Sequence, residues 1–237
     1  PFTSNTSTDK ILTVLQGAPR NRWMMTLHYD ITYEKERDGP WNGFATLADF
    51  YDTFQDGDER KLVKTGEGYG GINKGFLIGQ QFREDGTPIV DSRSKKPLVF
   101  SRDVPLAGAA TEKGIRVIKY HPTDFGQYLI LRYADVHLMK AEAQLRKNNA
   151  GAALALVNEL RALRNAPALA SLDLKAMLDE RARELYWEGV ARIDEIRFGV
   201  FTNKYQDVTN TEPYTVLFPI PAIALSSNAN LKQNDGY

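Results

Sequence analysis

Glu180, Glu184 and Glu188 stand at successive four-residue intervals in the block DERARELYWEGVARIDEIRFG, with Arg181, Arg183, Arg192 and Arg197 as matching cations. Two carboxylates can act as acid and nucleophile in glycoside hydrolysis only where they face one another across a substrate at a set separation. Carboxylates lined up along one helix do not meet that requirement. The block reads instead as a structural network of Arg and Glu fixing the turn after Gly189, because ion-pair networks commonly mimic sites. No residue takes a catalytic role. The histidines His28, His121 and His137 are scattered, with no HExxH pair and no acidic partner at metal-ligand spacing, so neither a metal nor a cofactor is expected. The stretch GEGYGGINKG lacks the GxxxxGK[ST] order that cradles phosphate and reads as a loop or tight turn.

Aromatic residues in the early loops offer a different chemistry. Trp23, Tyr29, Tyr33, Trp41 and Phe44 occur among turn formers, with Arg37, Asp38 and Asn42 nearby. A flat ring can stack on the C–H face of a sugar while Asn, Asp and Arg bond its hydroxyls. The candidate ligand-binding residues are therefore Trp41, Asn42, Trp23, Tyr29 and Tyr33. Trp41 leads, because Gly39-Pro40 and Asn42-Gly43 put it on an exposed turn. The competing reading has Trp23 and Trp41 plugging the core beneath the loops.

The elements that must hold these residues change character near residue 125. Before it, Gly, Pro, Asp and Asn interrupt every segment, giving a loop-rich ligand-binding region over 1–125. One helix is expected there, capped by Thr46, with Leu47, Phe50, Tyr51 and Phe54 on one face and Gly57 at its end. Short strands are expected at 75–82, 97–104 and 114–120.

Residues 126–237 read as a helical region with an extended C-terminal tail. In the run YLILRYADVHLMKAEAQLRK, Tyr128, Leu131, Ala134, Leu138, Ala141 and Leu145 form an apolar stripe, leaving Arg132, Asp135 and Lys140 to face water. A second helix follows after Asn148-Asn149, with Ala153, Leu156, Val157, Leu160 and Leu163 buried against its antiparallel neighbour. Ser171 or Asp173 caps a third, with Leu174, Met177, Leu178, Arg181, Leu185 and Glu188 on its inner face and Gly189 as terminator. The expected fold is mainly α, with tetratricopeptide-like helix pairs packed with a loop-rich region containing a few short strands.

Composition excludes several partners. Thirty Lys+Arg against thirty Asp+Glu give no electrostatic support for nucleic acid or an anionic membrane surface. No apolar run reaches the ~20 residues that span a bilayer, and the first residues lack a signal-peptide pattern. Cysteine is absent, which removes disulfides and thiolate metal sites.

The ordered segments LILRYADVHLMKAEA, VNELRALRNAP, LDERARELYWEGVARIDEIRFG and LFPIPAIALSSNANLKQNDGY resemble the C-terminal half of the SusD/RagB family. An aromatic helix followed by DGDERK and GIRVIKY resembles that family's middle region, so the likeness runs over about residues 46–237. The resemblance implies that 1–237 is the C-terminal part of a SusD/RagB-like domain. It also implies a surface-exposed outer-membrane lipoprotein of Bacteroidetes-like bacteria, with its lipid anchor and further helix pairs upstream. Such a protein captures oligosaccharides or other nutrients and delivers them to a SusC-like TonB-dependent transporter, without catalysis. The family's ligand contacts vary between members, so the resemblance carries over no binding residue. A helical-repeat protein-protein interaction module is the alternative reading, and a glycoside-processing enzyme ranks last.

Overall fold

The computed structural model describes residues 9–15, 25–31, 40–63, 74–83, 85–105, 107–119, 127–204 and 211–237. Two compact units divide the chain, Pro1–Glu188 and Gly189–Tyr237. The composition change near residue 125 does not coincide with that boundary, because the long helices belong to the same unit as the strands. Among the described residues no helix is long and apolar enough to cross a membrane.

In the first unit, β1 (Lys10–Leu15) pairs antiparallel with β7 (Gln127–Arg132). Strands β2 (Leu62–Val63), β3 (Lys74–Leu77) and β6 (Arg116–Ile118) form a second antiparallel sheet in the order β2-β3-β6, and β4 (Gly79–Gln80) pairs with β5 (Val99–Phe100). Successive side chains of a strand point to opposite faces, so the β3-β6 pair separates two cores. Phe76, Ile115 and Val117 join Phe54 and Tyr186 on one face, whereas Leu77 and Ile118 join Leu27, Ile31, Ile89, Leu98 and Phe100 on the other. Gly75 is fixed by its surroundings, since a Cβ there would lie 2.3 Å from the Lys61 carbonyl oxygen.

The early helix α1 spans only Ala48–Asp52. Thr46 does not cap it, because Thr46 is drawn into a bridge with Ile115, and Leu47 takes the cap position without a side-chain bond. The expected aromatic face survives nonetheless, with Phe50 and Tyr51 packed on the Phe54 core.

Helix α2 (Tyr133–Arg146) begins later than its periodicity predicts, since residues 127–132 are strand β7. Ala134, Leu138 and Ala141 are buried as expected, but Arg132 and Asp135 are buried too, contrary to the expectation that they face water. Helix α3 (Ala150–Ala162) buries Ala153, Val157 and Leu160 and packs against α2, while Leu163 lies outside the helix, 70% exposed. Helix α4 (Leu174–Leu185) starts at Asp173, whose carboxylate accepts the Ala176 N–H at 2.7 Å. Its inner face differs from the predicted one. Leu174 is exposed, and Glu180, Arg183 and Glu184 are buried beside the expected Met177, Arg181 and Leu185. The helix ends at Leu185, before Gly189, which does adopt a left-handed φ of 81°.

Most of the charges buried around α4 form a connected network, beside which Arg181 and Asp135 make a pair of their own. Glu180 accepts from Arg60 at 2.7 Å, Arg161 at 2.5 Å and Arg183 at 2.7 Å. Glu184 accepts from Arg132 and Arg164, each at 2.8 Å. Glu188 receives both Arg132 Nε and Nη2 at 2.9 Å, and Lys119 Nζ lies 2.5 Å from it. Arg181 reaches Asp135 at 2.9 Å. Burial alone would raise the Glu184 carboxyl, but Arg132, Arg164 and Arg60 hold it well below the usual carboxylate range. Glu180 and Glu188 are likewise drawn below their ordinary value by their cations against the push of burial.

In the second unit, helix α5 (Ala191–Arg197) precedes a 3-10 turn (Pro213–Val216) and helix α6 (Ala222–Ser227). The extended LFPIP segment is held by polar side chains from the tail. Gln233 bonds both the N–H and the carbonyl of Ile220, Asn234 donates to the Phe218 carbonyl, and the Tyr237 hydroxyl donates to the Leu217 carbonyl.

Removing one partner from a buried ion pair leaves the other charge uncompensated, so Glu180→Gln should lower unfolding free energy by ~3–5 kcal/mol. Lys175→Gln, in the exposed pair with Asp179, should change it by under ~0.5 kcal/mol, both read from urea denaturation. The depressed carboxyls add stability that is complete above their ordinary value of 4.5 and is lost as pH falls below it, so wild-type acid unfolding should begin there.

Candidate functional site

The turn carrying Trp41 is tied down on both sides. Backbone N–H groups of Asn42, Gly43 and Phe44 donate to the carbonyls of Leu27 (2.9 Å) and Met25 (2.8 and 3.0 Å). Asn42 has a φ of 51°, a left-handed conformation that Asn adopts more readily than most residues. Its carboxamide oxygen accepts from Arg116 Nη2 at 2.8 Å and Nε at 3.2 Å, and its Nδ2 donates to the Thr111 carbonyl at 3.1 Å. Arg116 is buried and also donates to the carbonyls of Lys113, Gly114 and Thr111. Burial lowers its guanidinium to about 10, which leaves it charged at neutral pH.

With its backbone fixed this way, the turn presents Trp41 at 52% exposure and Phe44 at 56%. The Phe44 ring meets the Trp187 ring edge-on, with centroids 6.1 Å apart. Trp187 has a positive φ of 62°, unusual for so bulky a residue, and packs on the Phe54–Tyr186 core. Trp41 thus stands half-exposed on a turn whose backbone is held in place.

Asn42 is placed beside it but serves the turn. Its amide is engaged by Arg116 and Thr111, so it positions Trp41 rather than offering hydrogen bonds outward. Tyr29 is turned into the protein, its ring against His28 at 4.0 Å and under the Arg93 guanidinium at 4.1 Å, with its hydroxyl buried. Trp23 and Tyr33 lie outside the described residues, as does His121. Sequence reasoning missed Trp187, which sits inside the YWEG segment read only for its charges.

Two titratable groupings invite a chemical reading. Glu180 and Glu184 are buried among arginines, and Glu188 in the following turn is paired with Arg132 and Lys119, so they present no open carboxylate pair to a substrate. Among the described residues one grouping has metal-ligating side chains close together, His28, Asp30 and Asp91. Most of its ligating atoms are already engaged otherwise, with His28 Nε2 the exception. Asp91 Oδ1 accepts the N–H groups of Arg93 (2.7 Å) and Ser94 (2.9 Å), Asp91 Oδ2 accepts the Thr111 hydroxyl (2.8 Å), and Asp30 Oδ2 accepts the Ser92 N–H (2.7 Å). His28 Nδ1 accepts the Asp30 N–H at 3.1 Å, and Arg93 and Arg116 add positive charge beside the imidazole. These features fit a buried polar network and not a cation site. His137, a lone histidine on α2, bonds the Leu156 carbonyl at 2.8 Å.

A profile of the SusD family matches residues 112–237. The chain is 32% identical over 204 residues to the starch-binding protein SusD of Bacteroides thetaiotaomicron, covering 76% of this chain and 31% of that protein. It is 34% identical over 123 residues to a SusD-like protein of Formosa agariphila, covering 45% of this chain and 23% of that one. Its fold is similar to a SusD-like protein from Bacteroides fragilis, with a TM-score of 0.67 at 20% identity over 98% of this chain and 55% of the other. Surface glycan-binding protein A from Bacteroides uniformis gives a TM-score of 0.60 at 20% identity over 97% of this chain and 49% of the other. The chain spans less than a third of the length of these curated relatives.

Because Asn42 satisfies a buried guanidinium, Asn42→Ala should cost about 1–3 kcal/mol of stability. Trp41→Ala should cost under about 1 kcal/mol, since half of that side chain already lies in water. Urea unfolding of both variants checks the division between support and display.

Proposed function

This chain belongs to the SusD family, and we propose that it serves in capturing oligosaccharides at the cell surface without breaking a bond. The observation that carries this reading is the half-exposed Trp41 ring on a turn clamped from beneath by Arg116 and Asn42. An aromatic face fixed in this way can stack on the C–H face of a sugar with little ordering left to do on binding. The names of two relatives, a starch-binding protein and a surface glycan-binding protein, support the same ligand class. Enclosure of Glu180, Glu184 and Glu188 by arginines supports binding over hydrolysis. Attachment to the outer membrane by a lipid anchor and delivery to a SusC-like TonB-dependent transporter complete the proposal and rest on the family resemblance.

A second reading has one observation in its favour. Tyr133, Val136 and Met139 leave an apolar side of α2 exposed, as a helix-pair protein-interaction module would.

Intrinsic tryptophan fluorescence titrated with a panel of oligosaccharides should saturate, with the sugar recovered intact by mass spectrometry. Trp41→Ala should weaken the affinity roughly tenfold, equivalent to ~1.4 kcal/mol. A cleaved sugar would overturn the non-catalytic reading. Absence of any response, with protein partners captured through Tyr133 and Met139, would favour the interaction module.

A further inference from the structure

His28 is fully buried at the base of the segment that anchors the Trp41 turn. Its Nδ1 accepts the Asp30 N–H, so the neutral ring carries its proton on Nε2. That Nε2 has no hydrogen-bond partner and lies 3.6 Å from Asp91 Oδ2, beyond bonding reach. A second proton must sit on Nδ1, where it confronts the Asp30 N–H donor to donor. The same proton makes the ring a cation 3.7 Å from the Asp30 carboxylate and 3.6 Å from that of Asp91.

We propose that His28 is a proton-operated latch: on taking a proton from solvent it releases the Asp30 amide, draws Asp91 away from Thr111, and loosens the turn that displays Trp41. The connections are continuous. Leu27, next to His28, accepts the Asn42 N–H, and Asp91 accepts the Thr111 hydroxyl. Thr111 in turn gives its carbonyl to Asn42 Nδ2 and Arg116. Charged groups on every side bear on the imidazole. Asp30 and Asp91 favour its cation, Arg116 and Arg93 oppose it, and the rings of Tyr29 and Phe100 flank it. Burial is the strongest influence and holds His28 below its ordinary value of 6.5, so the latch is closed at neutral pH. The sign follows directly. The folded state resists the proton that the unfolded chain accepts, so the stability contributed by neutral His28 is complete above 6.5 and is lost as pH falls through the lowered value.

The test needs no sugar, so it stands or falls separately from the carbohydrate reading. Fluorotryptophan is incorporated into the intact protein, and the Trp41 resonance is assigned with Trp→Phe variants. Histidine ring resonances are followed in parallel from about pH 8 to about pH 4.5, with His28 assigned by elimination using His121→Gln and His137→Gln. The expected result is a His28 titration below the ordinary histidine value, a Trp41 shift with the same midpoint, and loss of that shift in His28→Gln. Should His28→Gln fail to fold, coincidence of the two wild-type midpoints decides the matter. A Trp41 resonance that stays still while His28 titrates overturns the latch. So does a Trp41 shift that persists in His28→Gln, or a His28 ring that takes up no proton before the protein unfolds.

Discussion

The first unit is organised around carboxylates that have no access to water. Glu180 and Glu184 sit on the buried face of α4, and each needs cations before it can remain there. Those cations come from distant parts of the chain. Arg60 lies 120 positions before Glu180, Arg132 closes strand β7, Arg161 lies in the last turn of α3 and Arg164 just past it. A mispacked alternative would leave at least one buried charge unpaired, a penalty of several kcal/mol per ion. The network therefore sets how α4, α3, β7 and the loop around Arg60 come together, while the apolar stripes contribute most of the buried area.

Strand β6 and the residues beside it carry this constraint toward the surface. Arg116 and Lys119 lie on either side of Val117 and Ile118, and both are buried. Lys119 donates to the carbonyls of Glu184 and Tyr186 just past α4, and its Nζ stands 4.3 Å from the Tyr186 ring centre. Arg116 reaches the other way, into the carbonyls of 111–114 and the Asn42 amide. One short strand thus joins the ionic centre to the turn that presents Trp41. Trp187, following Tyr186, adds a second link through its edge contact with Phe44.

Much of this was legible in the sequence, and the failures share a cause. Ala153, Val157 and Leu160 were readable because a helix stripe is local, and the Asp173 cap because its partner lies three residues on. Arg132 and Asp135 were misplaced because a charged residue at helical spacing reads as solvent-facing unless its partner is known. Their partners, Glu184 and Arg181, are 52 and 46 positions away. The run 127–132 is apolar enough to suit either a strand or a helix, and pairing with residues 10–15 decides it. The exposure of Trp41 was legible from the flanking Gly-Pro and Asn-Gly. The role of Asn42 was not, since it depends on Arg116, 74 positions later.

That division bears on the binding role proposed for Trp41. A tryptophan on a free loop would have to be ordered when a ligand arrives, at about 0.5–1.5 kcal/mol for a mobile side chain and more for its backbone. Here the backbone part of that ordering is in place beforehand. Three backbone hydrogen bonds hold the segment, and the left-handed Asn42 is fixed by a guanidinium that is itself saturated by carbonyls. The charge that organises the turn is buried below it, while the surface it presents is aromatic and uncharged at Trp41 and Phe44. On the proposed reading, a surface of that kind would favour flat apolar faces irrespective of ligand charge, which suits a neutral sugar ring better than a peptide rich in ionised groups.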